Sequence, residues 1–219
     1  KDEFKIKHFI ETGTFYGINA DVHSRNFDYV FTCDTNKESL NVAMNRLVKH
    51  TNVYVFNSPS VDVIDMARFH YDRNKRQDTL MFYLDAHFYN PQLPKEKRFV
   101  VLDELEALKG FRNCVIAIHD FDNGELGHIT YDGVSLDWKL LGEKIKEVNP
   151  EFNFYTNTSE GCDILTPETA GRLGVVIDGT LVDNLNYAWS SPEKTKRGIL
   201  YAVPKQLDLT KYKGLRELK

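Results

Sequence analysis

Short apolar runs alternate with longer segments carrying an apolar residue at every third or fourth position through the first two-thirds of the chain. The runs are rich in β-branched and aromatic residues and predict strands over Lys7–Glu11, Tyr29–Cys33, Val53–Phe56, Leu80–Leu84 and Cys114–His119. Between them, Leu40, Ala43, Met44, Leu47 and Val48 form a helical stripe, opened by the capping-box pair Thr35 and Glu38. Leu102, Leu105 and Leu108 form a second stripe, closed at Gly110. Leu136, Leu140, Leu141, Ile145 and Val148 form a third, stopped by Asn149-Pro150. All three stripes read as core. Strands alternating with helices predict a doubly wound α/β fold with a mostly parallel sheet.

The rhythm changes after Pro150. Phe152–Tyr155 and Leu173–Ile177 read as two consecutive strands, an antiparallel hairpin at one edge that brings the sheet to seven strands. Ile199–Val203 reads as a further strand within a tail that has little pattern. The expected organisation is one domain over residues 1–178, with an extension over 179–219 packed on it.

Composition adds mainly exclusions. The 219 residues are 42% hydrophobic and 27% charged, as in an ordinary globular chain with one substantial core. A formal net charge of -4 and a pI near 6.0 lack the basic excess of a nucleic-acid binder, so no nucleic-acid partner is expected. The basic cluster Arg73, Lys75 and Arg76 reads as a solvated helix end. Cys33, Cys114 and Cys162 are odd in number and lack Cys-x-x-Cys spacing, which fits a reduced, cytoplasmic setting. No apolar run is long enough for a membrane span, so no membrane partner is expected; association into oligomers stays open.

Candidate chemistry gathers at the strand ends, where open α/β sheets bind ligands. The first strand is followed by Glu11-Thr12-Gly13-Thr14-Phe15-Tyr16-Gly17, the second by Asp34, and the third by Asn57 and Ser58. Asp85 and His87 follow the fourth, and His119, Asp120 and Asp122 the fifth. Gly13 and Gly17 permit a sharp turn and a close backbone approach to a ligand. Their spacing is not the Gly-x-Gly-x-x-Gly of dinucleotide folds, which counts against a pyrophosphate ligand. Asp34 stands where an acid accepts hydrogen bonds from a ribose diol.

The runs HFIETGTFYGINA, FTCDTNK, FYLDAH and AIHDFDN resemble class I S-adenosylmethionine-dependent methyltransferases, and more narrowly the macrocin O-methyltransferase type. The resemblance covers about residues 7–178 and implies a Rossmann-like fold, S-adenosylmethionine as cofactor and a sugar or other small hydroxylated acceptor. It assigns the methionine-binding turn to Glu11, Gly13, Thr14 and Gly17, the ribose to Asp34, the adenine to Asn57 or Ser58, and the methyl region to Asp85. It implies a divalent metal, Mg²⁺ first, held by Asp85 and Asp120. The chain departs from the pattern in having His119 before Asp120, where metal-dependent relatives often carry an acid.

Methyl transfer from a sulfonium requires positioning above all, and an alcohol acceptor must lose a proton. His87 with Asp85 is the first candidate for that base; a metal-activated hydroxyl is the second. The segment Gly124–Asp137 is the expected acceptor loop, with His119, His128 and Tyr131 as contacts. Two other readings stay open. One is a methyltransferase-like module that binds without turnover. The other is a nicotinamide-dependent oxidoreductase or epimerase, suggested by the Tyr71-x-x-x-Lys75 spacing.

Overall fold

A computed structural model describes residues 5–73, 78–86, 91–94, 98–159, 175–177, 180–182 and 197–219. Its elements, in chain order, are β1 (His8–Thr12), α1 (Ile18–His23), β2 (Tyr29–Asp34), α2 (Lys37–Leu47), β3 (Val53–Asn57), α3 (Ser60–Arg73), β4 (Leu80–Leu84), α4 (Val100–Ala107) and β5 (Cys114–His119). There follow β6 (Phe121–Asp122), β7 (Thr130–Tyr131), β8 (Val134–Asp137), α5 (Trp138–Val148), β9 (Phe152–Asn157), β10 (Val175–Ile177), β11 (Thr180–Val182), β12 (Ile199–Pro204) and β13 (Leu215–Leu218). All five expected parallel strands form, with ends shifted by at most a residue.

The main sheet has eight strands, one more than the seven expected, in the order β13-β9-β12-β5-β4-β1-β2-β3. β1 pairs in parallel with both β2 and β4, so the strand order reverses at β1 and the crevice opens over the β1 and β4 tips. Successive strand residues serve opposite faces. Ile10, Phe82 and Ile116 pack with Val63, Leu105 and Leu141 in one core. Phe9, Val30 and Val115 pack with Ala20, Ala43 and Leu47 in the other.

Four further expectations are corrected. The antiparallel partners of β9 are β12, which inserts between β5 and β9, and β13; β10 pairs instead with β11 in a separate two-stranded ribbon. Long-range pairing chose the partners, and a hairpin rule based on adjacency could not. The α2 N-cap is Asn36, whose side chain accepts from the Glu38 and Ser39 amides, because Thr35 lies one residue too early to face them. In the first stripe Met44 and Val48 are exposed; only Leu40, Ala43 and Leu47 face the sheet. The other stripes bury as expected, apart from Leu140 at a margin; the C-cap of α4 is Leu108, and Gly110, at φ 86°, turns the chain two residues later and donates its amide to the Val148 carbonyl.

Candidate functional site at the strand tips

The tips of β1, β2 and β4 are tied together by backbone. The Gly13 and Thr14 amides both donate to the Cys33 carbonyl at 2.9 Å, and the Asp85 amide donates to the Thr12 carbonyl at 3.1 Å. Gly13 has φ 83°, and a Cβ there would lie 2.4 Å from the Asp85 carbonyl oxygen. Only glycine satisfies both restraints. Gly17, at φ 73°, closes the turn and would carry its Cβ to 3.0 Å from that of Ala43.

Beneath this floor lies Glu11, 1% exposed. One oxygen accepts from the Asn19 amide at 2.6 Å and the other from the Thr32 hydroxyl at 2.5 Å. Thr32 in turn shares a 2.7 Å hydrogen bond with Thr14. Burial pushes the Glu11 carboxyl up to about 8; the two hydrogen bonds oppose the shift, and the charges of Asp85 and Asp34 add to it. The side chains of Glu11 and Thr14 are therefore spent inside the fold, bracing the turn from below rather than facing the crevice.

Asp34 ends β2 above this brace. Its carboxylate accepts from the Phe15 amide at 2.8 Å and from the Asn36 amide at 2.9 Å, and oxygen lone pairs remain for a ligand. The first bond holds Phe15, a non-glycine residue at φ 47° whose ring is exposed. Such left-handed strain costs about 1–2 kcal/mol. Asn57 sits beside the same acid, donating to the Asp34 carbonyl at 3.0 Å. Ser58 turns away and donates to Asp62 in the first turn of α3.

A second group forms where β4 and β5 end. His119 Nδ1 lies 2.8 Å from Asp85 Oδ1 and 3.6 Å from Asp120 Oδ2. Asp120 is buried, has φ 55°, and its Oδ1 lies 3.2 Å from Arg197 Nε. One ligand atom from each of Asp85, His119 and Asp120 fits within a 4.8 Å cluster. Tyr131 shares a narrow cavity with His119, Ala86, Phe99 and the fully buried Glu104. Burial, then the Asp120 charge, raises the Tyr131 hydroxyl above its ordinary range. His128 is held by Asp122, with Nε2 3.3 Å from the carboxylate. His87 lies outside the described residues, so the expected His87–Asp85 pairing has no geometry here.

The structure thus brings together Gly13, Gly17, Asp34, Asn57, Asp85, His119, Asp120 and Tyr131, with Glu11 and Thr14 underneath. The sequence reading missed Arg197. It precedes β12, whose antiparallel pairing with β5 starts beside His119. Asn157 fixes it there, donating to the Arg197 carbonyl at 2.8 Å. No local motif marks such a residue. Tyr71 lies elsewhere, lining a groove with His8, Tyr29 and Leu80 at the strand starts, while Lys75 is outside the described residues. The tyrosine that suggested the oxidoreductase reading therefore lies away from the crevice.

No protein-family model and no curated protein matches the chain. Solved structures do. A DNMT2 mutant from Spodoptera frugiperda is 13% identical with a TM-score of 0.51, covering 92% of this chain and 51% of its own. Spermidine synthase from Thermotoga maritima is 12% identical with a TM-score of 0.49, covering 95% and 56%. An rRNA methylase from Streptococcus thermophilus is 12% identical with a TM-score of 0.44, covering 91% and 88%. The chain spans about half the length of the DNMT2 it matches. At such identity the likeness is one of architecture, and the chain has the Rossmann-like α/β fold that DNMT2 shares.

Proposed function

We propose that the chain is an S-adenosylmethionine-dependent methyltransferase acting on a hydroxyl of a small acceptor, a sugar in the first instance. One observation carries this reading. At the switch point of the sheet a backbone turn that only glycine can make places Asp34 and Asn57 on one side and Asp85 on the other. That disposition suits a nucleoside at β2 and β3 with its reacting group over β4. The macrocin-type affinity rests on the sequence motifs alone.

Within the described residues, His119 is the base this geometry supports. A hydrogen bond from Nδ1–H to Asp85 leaves Nε2 as the basic nitrogen, and the carboxylate stabilises the imidazolium formed when an acceptor hydroxyl gives up its proton. Tyr131 and Arg197 flank the acceptor side. Asp85, Asp120 and His119 also have the mixed oxygen and nitrogen donors that suit a divalent ion, which would acidify the acceptor. However, Asp120 is already paired with Arg197, and Asp85 is already hydrogen-bonded to His119 Nδ1. We therefore read the proton transfer as a task of the protein side chains.

The strand tips carry Asp34, Asp85, Asp120 and Asp122, and the chain carries a net charge of -4. Both disfavour a polyanionic acceptor, which supports a small molecule over RNA or DNA. The test is calorimetry with S-adenosylhomocysteine, NADH and a short RNA on wild type and Asp34→Ala. The reading expects binding of the first alone, lost in the variant. Binding of NADH instead would support an oxidoreductase, and no binding at all would support a module without turnover.

A further inference from the structure

β3 ends the sheet, and its outer side is unpaired among the described residues. Exposed edge strands are ordinarily guarded by charge, proline or a bulge. β3 has none: it reads Val53-Tyr54-Val55-Phe56-Asn57. Tyr54 and Phe56 stand on the α3 face, and Val53 and Val55 on the α2 face. On the strand itself Tyr54 is 43% exposed, and the two helices that follow and precede it also expose apolar side chains, Phe69 on α3 at 59% and Val48 at the end of α2 at 83%.

We propose that this edge is a homodimer interface, in which β3 of two copies pair antiparallel across a two-fold axis at Val55. The strand is nearly self-complementary about that point. Val55 meets Val55 of the second copy, and Tyr54 meets Phe56. An isologous contact requires this kind of symmetry, which an unrelated strand would have to match by chance. The pairing also extends a feature already present. Side chains on the α3 face form an aromatic ladder across the strands, His8 on Tyr29 at 5.0 Å and Phe31 on Tyr54 at 5.1 Å, with near-parallel rings. Tyr54 against Phe56 of the second copy carries the ladder over the axis, where cross-strand aromatic pairs are favourable. A five-residue strand is too small for a stable interface by itself. The dimer therefore forms with a concentration-dependent midpoint.

Sedimentation velocity on the full chain over a wide concentration range tests this, with Tyr54→Lys and Tyr54→Glu as variants. The two residues at position 54 lie diagonally across the axis, about 7–8 Å apart on one face. Each variant alone sets like charges there and should be monomeric; an equal mixture should restore the dimer. Hydrogen exchange provides a test without mutation, since the β3 amides should slow as wild-type concentration rises. A wild type that is monomeric throughout overturns the proposal. So does a dimer that both variants retain, or a mixture of two folded variants that stays monomeric.

Discussion

Replacing Glu11 by Gln should abolish a pH dependence of stability that this one side chain imposes. Glu11 is buried, and its carboxyl is pushed up from 4.5 to about 8. A raised acid stabilises the fold only while protonated. Its contribution is complete below the unfolded value of 4.5 and is lost as pH rises through about 8. The full excursion corresponds to about 5 kcal/mol, an upper bound for a site that can relax. His23 acts in the opposite direction below neutrality. Burial holds it down from 6.5 to about 4, so the fold loses stability as pH falls through that range. The two slopes oppose each other at mildly acid pH, and the clean window for Glu11 lies between 6.5 and about 8. Across it wild type should lose about 2 kcal/mol, roughly 4–8 °C in Tm for a chain of this size. Glu11→Gln should stay nearly flat. Glutamine fits because the Thr32 hydroxyl can rotate to accept from the amide and donate onward to Thr14, whose oxygen lies 2.7 Å away. Thermal or urea unfolding of both proteins at several pH values supplies the measurement. Equal slopes in the two proteins, or a wild type that gains stability over this window, would refute the reasoning.

Three further outcomes follow from the site. Gly13→Ala should destabilise the protein by more than about 1 kcal/mol and abolish S-adenosylhomocysteine binding, since a Cβ at 2.4 Å from the Asp85 carbonyl forces the β1 and β4 tips apart; unfolding and calorimetry on the one variant report both. His119→Asn should lower turnover by roughly 10²–10⁴-fold while S-adenosylhomocysteine binds as before, and the loss should shrink at high pH as the acceptor ionises unaided; an unchanged rate would return the base role to another residue. Activity should survive chelation, because Asp120 is already paired with Arg197 and Asp85 is hydrogen-bonded to His119 Nδ1; a chelated enzyme revived by added Mg²⁺ would reverse this assignment.

Much of the site could be read from the chain because in this fold position along a strand implies position in space. Once five strands were placed, their carboxyl ends had to share one rim, so Gly13, Asp34, Asn57, Asp85 and His119 could be assigned to it without coordinates. What each side chain does there could not be assigned. Glu11 and Thr14 lie on the same stretch as Gly13, yet pleat direction and packing turn both inward, to Thr32 and Asn19. Ser58 sits one residue beyond Asn57 and faces α3 instead.

The sequence by itself determined the parallel half of this protein: alternating β-branched runs and helical stripes admit few arrangements other than a doubly wound sheet, and the punctuation at Gly13, Gly110 and Pro150 sets where its elements turn. Tertiary structure alone decided the antiparallel half and the acceptor side. β12 lies far along the chain from β5 yet pairs with it, and this brings Arg197 to Asp120. Local periodicity reports which face of an element is buried. It does not report which distant strand completes the ladder, because that choice is made by the whole sheet satisfying its backbone hydrogen bonds and covering both cores at once.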